Sequence, residues 1–147
     1  MKRFAVVLAC LLLVCATALA DTVYVLCQPD SFVYVRRYPR RGADPAGYAE
    51  LGDELETDGT RRNGFILVSG FEGDAWINAG FVTEYPVTVY TVKTQVVSKG
   101  RVACRRAVNG TRRKWLSDGA EVTVFAFADD WAITNQGFIK TAYLGGL

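Results

Sequence analysis

The chain has 147 residues, with 17 Lys and Arg against 15 Asp and Glu, no His and four Cys. Without imidazole, no Ser-His or Cys-His nucleophile pair and no histidine metal site can be built. The near-neutral balance also argues against a nucleic-acid partner, whose backbone selects strongly basic surfaces.

The first twenty residues read as a secretory signal peptide. Lys2 and Arg3 form a positive start, Phe4 to Val14 an apolar run, and Ala18-Leu19-Ala20 a small-residue cleavage site before Asp21. The run falls short of the roughly 20 apolar residues a membrane span needs, so no stable span is expected after cleavage and the protein is expected to be extracytoplasmic. Taking the two leader cations from 17 leaves 15 basic residues against 15 acidic, and of the cysteines only Cys27 and Cys104 remain.

Beyond the leader the chain says the same thing twice. Thr22-Val23-Tyr24-Val25-Leu26, β-branched and aromatic, returns as Thr88-Val89-Tyr90-Thr91-Val92. Val33-Tyr34-Val35-Arg36-Arg37 returns as Val102-Ala103-Cys104-Arg105-Arg106, and Gly52 to Thr57 as Gly119 to Val124, each preceded by an aromatic, Tyr48 or Trp115. Phe65-Ile66-Leu67-Val68 returns as Trp131-Ala132-Ile133-Thr134. Last, Ala75-Trp76-Ile77 through Phe81-Val82 returns as Gly137-Phe138-Ile139 through Tyr143-Leu144. Blocks in one order, with length changes confined to turn-like segments, predict two units at 21–85 and 86–147, joined at Glu84-Tyr85-Pro86-Val87. Gly, Asp, Asn and Pro punctuate throughout, and Glu121-Val122-Thr123-Val124-Phe125 alternates. Each copy therefore reads as five short strands without a helix, and so small a sheet must curl to cover its core. The expected class is all-β, two small barrels in tandem.

Those blocks carry a resemblance. Each copy resembles a bacterial SH3 (SH3b) domain, whose pattern runs aliphatic-x-Val-Arg, a variable loop, a Gly before an alternating strand, Gly-Trp-x-x-Val/Ile, and Gly-Trp-Val-x-x-x-Tyr-Leu. The second copy matches with Val102-Ala103-Cys104-Arg105, Gly119, Trp131-Ala132-Ile133 and Gly137 to Leu144; the first with Val33-Tyr34-Val35-Arg36, Gly52, Phe65-Ile66-Leu67 and Ala75 to Val82. Cys104 stands where the family has Val, Phe138 and Phe65 where it has Trp, and neither copy has the usual Gly-Pro after the Arg. The resemblance implies two SH3-like barrels, and a ligand groove near the long first loop.

No catalytic constellation is visible. Asp53-Glu54 and Asp129-Asp130 are adjacent acids, read as surface residues because strand neighbours diverge and turn residues are solvated. Two thiols cannot make a zinc site alone, and no calcium loop pattern occurs, so neither metal nor cofactor is expected. Cys27 and Cys104 admit two readings: a disulfide tying the copies together, as export would allow, or free thiols with Cys104 as a small core hydrophobe. Asn109-Gly110-Thr111 fits a glycosylation acceptor and also a plain turn.

The candidate binding residues lie in the loops. Arg36, Arg37, Tyr38 and Arg40 follow the second strand of the first copy, and Arg105, Arg106 and Arg112 follow it in the second. Such clusters are usually solvated, whereas paired guanidinium forks beside aromatic rings also suit carboxylates and polyanions. Tyr38, Tyr48 and Trp115 are the aromatics in or beside the loop where the SH3b resemblance implies a groove. Charge is unevenly divided: residues 21–86 carry 6 basic and 11 acidic groups, net −5, and residues 87–147 carry 9 and 4, net +5. The expected function is that of a secreted, non-enzymatic tandem SH3b protein binding cell-envelope ligands, either peptidoglycan peptides or anionic wall polymers. A protein-interaction module docking onto an exported enzyme or receptor is the alternative, and a small hydrolase the third reading.

Overall fold

The computed structural model describes residues 21–147; the expected leader, 1–20, lies outside the described residues. The chain is all-β and forms two small assemblies of antiparallel strands. The first contains β1 (Asp21–Val25), β2 (Val33–Arg36), β3 (Pro45–Ala49), β4 (Glu54–Thr57), β5 (Arg61–Arg62), β6 (Phe65–Val68), β7 (Ala75–Asn78) and β8 (Val82–Thr83). The second contains β9 (Thr88–Gln95), β10 (Val102–Arg105), β11 (Arg112–Leu116), β12 (Glu121–Ala128), β13 (Trp131–Thr134) and β14 (Gly137–Lys140). The strand orders are β4-β1-β8 and β3-β2-β7-β6-β5 in the first, and β11-β10-β14-β13-β12-β9 in the second.

The repeat seen in the residues extends to the ladder. β2 meets β7 through Arg36 opposite Trp76, and β10 meets β14 through Arg105 opposite Phe138. Both copies shift register at the same place, between Val35 and Arg36 and between Cys104 and Arg105, where a bulge re-aims the arginine. Ile66 faces Ile77 as Ala132 faces Ile139. Gly52 and Gly119, just before the matched strands β4 and β12, both hold left-handed φ, +86° and +76°, which costs glycine little.

Each copy has more strands than five: the long loop folds back as β3 or β11 onto β2 or β10, and the first adds the two-residue strands β5, paired with β6, and β8, paired with β1. Each also closes through a single 3-10 turn, Ala79–Phe81 or Thr141–Tyr143. In the first, Asn78 accepts from the Gly80 amide at 2.9 Å, a local cap for the turn. The apolar residue that follows each turn, Val82 or Leu144, is buried, the first pairing with Val25 and the second with Val96.

Three apolar clusters hold the chain. One lies inside the first assembly around Val23, Val35, Ile66 and Ile77, and one inside the second around Val96, Val124 and Ile139. The third is the joint between them. Leu26, fully buried and just past β1, packs with Ala126, Ala128, Trp131, Ile133 and Phe138 of the second assembly. Gln28 crosses the same joint, its Nε2 donating to the Thr134 carbonyl at 2.9 Å.

The disulfide reading is overturned. Cys27 and Cys104 are both free and both buried, because they belong to different cores, one inside each assembly. The Cys104 thiol instead donates to the Gln136 carbonyl at 2.9 Å, and the Cys27 thiol to the Ser31 carbonyl at 3.6 Å.

Candidate functional site

A groove of about 860 Å³ runs along the joint. The first assembly lines it with Gln28, Phe32, Tyr34, Arg36, Arg40 and Arg41 from the β1–β2 and β2–β3 segments, and with Phe65. The second contributes Arg105, Arg106, Arg113 and Phe138. Six arginines thus line one cleft, and among the described residues no Asp or Glu does. Clefts walled by one sign of charge focus the field and raise the local concentration of counter-charged ligand.

The two bulges place Arg36 and Arg105 at matched corners. Both are half-buried, and both spend one fork position on their own loop: Arg36 Nη1 donates to the Ala43 carbonyl at 2.7 Å, Arg105 Nη1 to the Gly110 carbonyl at 2.8 Å. The guanidinium of Arg36 also lies 5.1 Å from the Tyr34 ring centroid, a cation–π distance. These two residues therefore shape the loops, with their remaining N–H groups at the groove. Asn63 fixes the rim of the first loop, its Nδ2 donating to the Pro39 carbonyl at 3.2 Å.

Arg40, Arg41, Arg106 and Arg113 are different. All four are exposed, and among the described residues none has a carboxylate within ion-pair distance or a side-chain hydrogen bond. The ion pairs that do form lie elsewhere, Arg61 with Glu84 at 3.8 Å and Lys140 with Asp130.

The other sequence candidates fall outside the groove lining. Arg37 and Tyr38 are exposed on the first loop. Tyr48 stands on β3 with its ring 5.7 Å from Phe32, which in turn meets Tyr34 edge-on at 5.0 Å. Arg112 covers the Trp115 ring at 4.6 Å while Arg101 approaches it at 5.4 Å, so that trio is satisfied within itself. Arg41 and Arg113 were not among the candidates, although each adjoins one in the same cluster; only their side-chain directions set them apart. Phe65 and Phe138 are each both buried and part of the groove lining.

Nucleophile chemistry has no support among the thiols. Burial pushes the Cys27 thiol up to about 11, with Asp53 and Glu50 adding to the rise, and burial also raises Cys104 against the opposing pull of Lys114 and Arg113. Asp58 is held below the usual carboxylate range by hydrogen bonds from Thr60, a turn effect far from chemistry. Among the described residues no group of three or more Cys, Asp and Glu could hold a metal ion, and no helix is long and apolar enough to cross a membrane.

No protein-family model and no curated protein matches the chain. Among solved structures it is similar to NlpC1 from Trichomonas vaginalis, at 19% identity over 87% of this chain and 46% of that one, with a TM-score of 0.37. It is similar also to NlpC2 from the same organism, at 16% identity over 87% and 48%, with a TM-score of 0.38. The chain spans less than half the length of either. Likeness at that level speaks to neither ligand nor activity, which are left to the residues in the groove.

Proposed function

We propose that this is a secreted, non-enzymatic protein in which two SH3b-like units, 21–85 and 86–147, bind anionic material of the cell envelope in the groove at their joint. One observation carries the reading: six arginines converge on a cleft that no carboxylate among the described residues lines, and none of the six has an ion-pair partner among those residues. Unpaired like charges repel, so a fold that gathers them gains most when an anion arrives. Guanidinium forks bind carboxylate and phosphate with two parallel N–H donors each. The ring faces of Tyr34 and Phe32 beside them supply apolar contact for the body of a ligand.

The test is retention on purified cell wall. Binding at low salt that falls as salt rises is the expected result, and no retention at low or physiological salt refutes it. Zymography on wall fragments should show no clearing. A second reading, docking onto an exported protein, is favoured by the linked rings of Phe32, Tyr34 and Tyr48, exposed at 49%, 47% and 64% on one side of the first assembly. Under it, the protein is not retained on cell wall, and a triple alanine substitution there abolishes co-purification of a partner.

A further inference from the structure

We infer that the groove is a composite site for a linear polymer carrying repeated phosphate or sulfate esters, laid across both assemblies and held from both walls. The inference rests on the envelope-binding reading for its location and goes beyond it in naming the ligand class. Its first support is the division of charge. Arg36, Arg40 and Arg41 come from one assembly and Arg105, Arg106 and Arg113 from the other, so neither half owns the site. A single small anion would be satisfied by one or two forks; three on each wall suit a ligand with several anionic groups in series.

The second support is what the lining omits. A wall stem peptide brings ammonium groups as well as carboxylates, and a buried or half-buried ammonium demands a carboxylate partner. From side chains the groove offers such a group only neutral oxygens, those of Gln28, Ser31, Tyr34, Asn63 and Asn78. A polymer whose charges are all negative meets no such mismatch. The size agrees, since about 860 Å³ far exceeds one phosphate and matches a few repeat units.

The third support is rigidity. Leu26 seated among Trp131, Ile133 and Phe138, with Gln28 bonded to the Thr134 carbonyl, fixes the spacing of the walls without help from ligand. Two anchored arms then act at high effective concentration on one chain, and little ordering cost is paid on binding. Arg40, Arg41, Arg106 and Arg113 are the gripping residues. Arg36 and Arg105, tied to their loop carbonyls, position the walls.

The experiment titrates the full mature chain with four probes: a glycerol phosphate oligomer, a sulfated hexasaccharide, inorganic phosphate and a lysine-containing stem peptide. Two wall variants, Arg40→Ser/Arg41→Ser and Arg106→Ser/Arg113→Ser, are compared with a control, Lys93→Ser/Lys99→Ser, placed off the groove. At least one polymer binds the wild type more tightly than inorganic phosphate or the stem peptide, and which polymer binds better distinguishes a phosphate source from a sulfate one. Each wall variant weakens polymer binding at least tenfold and flattens the slope of log K against log salt by about 1.4, roughly 0.7 per lost contact, while the control stays within twofold.

Loss at only one wall overturns the composite site. Inorganic phosphate or stem peptide binding as well as both polymers overturns the ligand class. Wall retention without binding of either polymer overturns this inference and spares the envelope reading. Polymer binding lost at both walls, without wall retention, does the reverse.

Discussion

Replacing Leu26 by Ala tests whether the two assemblies are one frame. The side chain is fully buried, and the buried residues clustered with it, Ala126, Ala128, Trp131, Ile133 and Phe138, belong to the other assembly, with Leu51 of its own packed against the cluster. Truncating a buried Leu costs about 2 to 5 kcal/mol, the lost transfer plus the cavity left behind; a site walled by an indole and a phenyl ring relaxes poorly, so about 3 kcal/mol is expected. At this chain length each kcal/mol moves the midpoint by about 3 °C, which predicts a melting temperature about 10 °C lower. The assay is urea and thermal unfolding followed by tryptophan fluorescence, which reports the joint directly because Trp131 is part of it. Leu26→Met, close in volume, should cost less than about 1.5 kcal/mol. A loss below about 1 kcal/mol for the alanine variant, with Trp131 emission unchanged, would refute the seating of Leu26 and with it the fixed walls of the groove.

Further outcomes follow from single residues. Gly137→Ala should destabilise by more than about 2 kcal/mol in the same assay, since its φ is +132° and an added Cβ would stand 2.6 Å from the Arg105 carbonyl oxygen and 2.7 Å from the Cys104 sulfur. Arg36→Met and Arg105→Met should each cost about 1 to 2 kcal/mol by leaving the Ala43 or Gly110 carbonyl without its charged donor. The raised thiols make stability fall with rising pH: the folded chain holds the Cys27 proton up to about 11 and the unfolded chain releases it near 9, so the contribution is complete below pH 9 and is lost between about 9 and 11. Urea midpoints measured across that window should decline, and the decline should shrink in Cys27→Ala. Both thiols should resist alkylation at pH 8 in the native state and react on unfolding, whereas a mass two units low under non-reducing conditions would restore the disulfide.

The strand pattern was legible because it is local. Alternation in Glu121 to Phe125, β-branched runs and turn glycines act within a few residues, and the duplicated blocks exposed the two-fold plan before any contact was known. Even the arginine clusters were visible as clusters. The joint was not, because Leu26 looks like the end of any apolar strand and nothing in its neighbours says that it is buried by residues a hundred positions away. The same holds for the cysteines: two thiols in an exported chain suggest a bridge, and only packing into separate cores shows them apart.

The amino-acid sequence by itself determined the all-β class and the wealth of arginine beside aromatic rings, since propensity, periodicity and turn chemistry are properties of short stretches. Tertiary structure alone decided which arginines share a cleft. It drew Arg41 and Arg113 into the groove, left Arg112 against Trp115, and tied Arg36 and Arg105 to their own loops. Side-chain direction at a bulge and the angle between two barrels are set by packing across the chain, and charge becomes a site only where that packing brings it together.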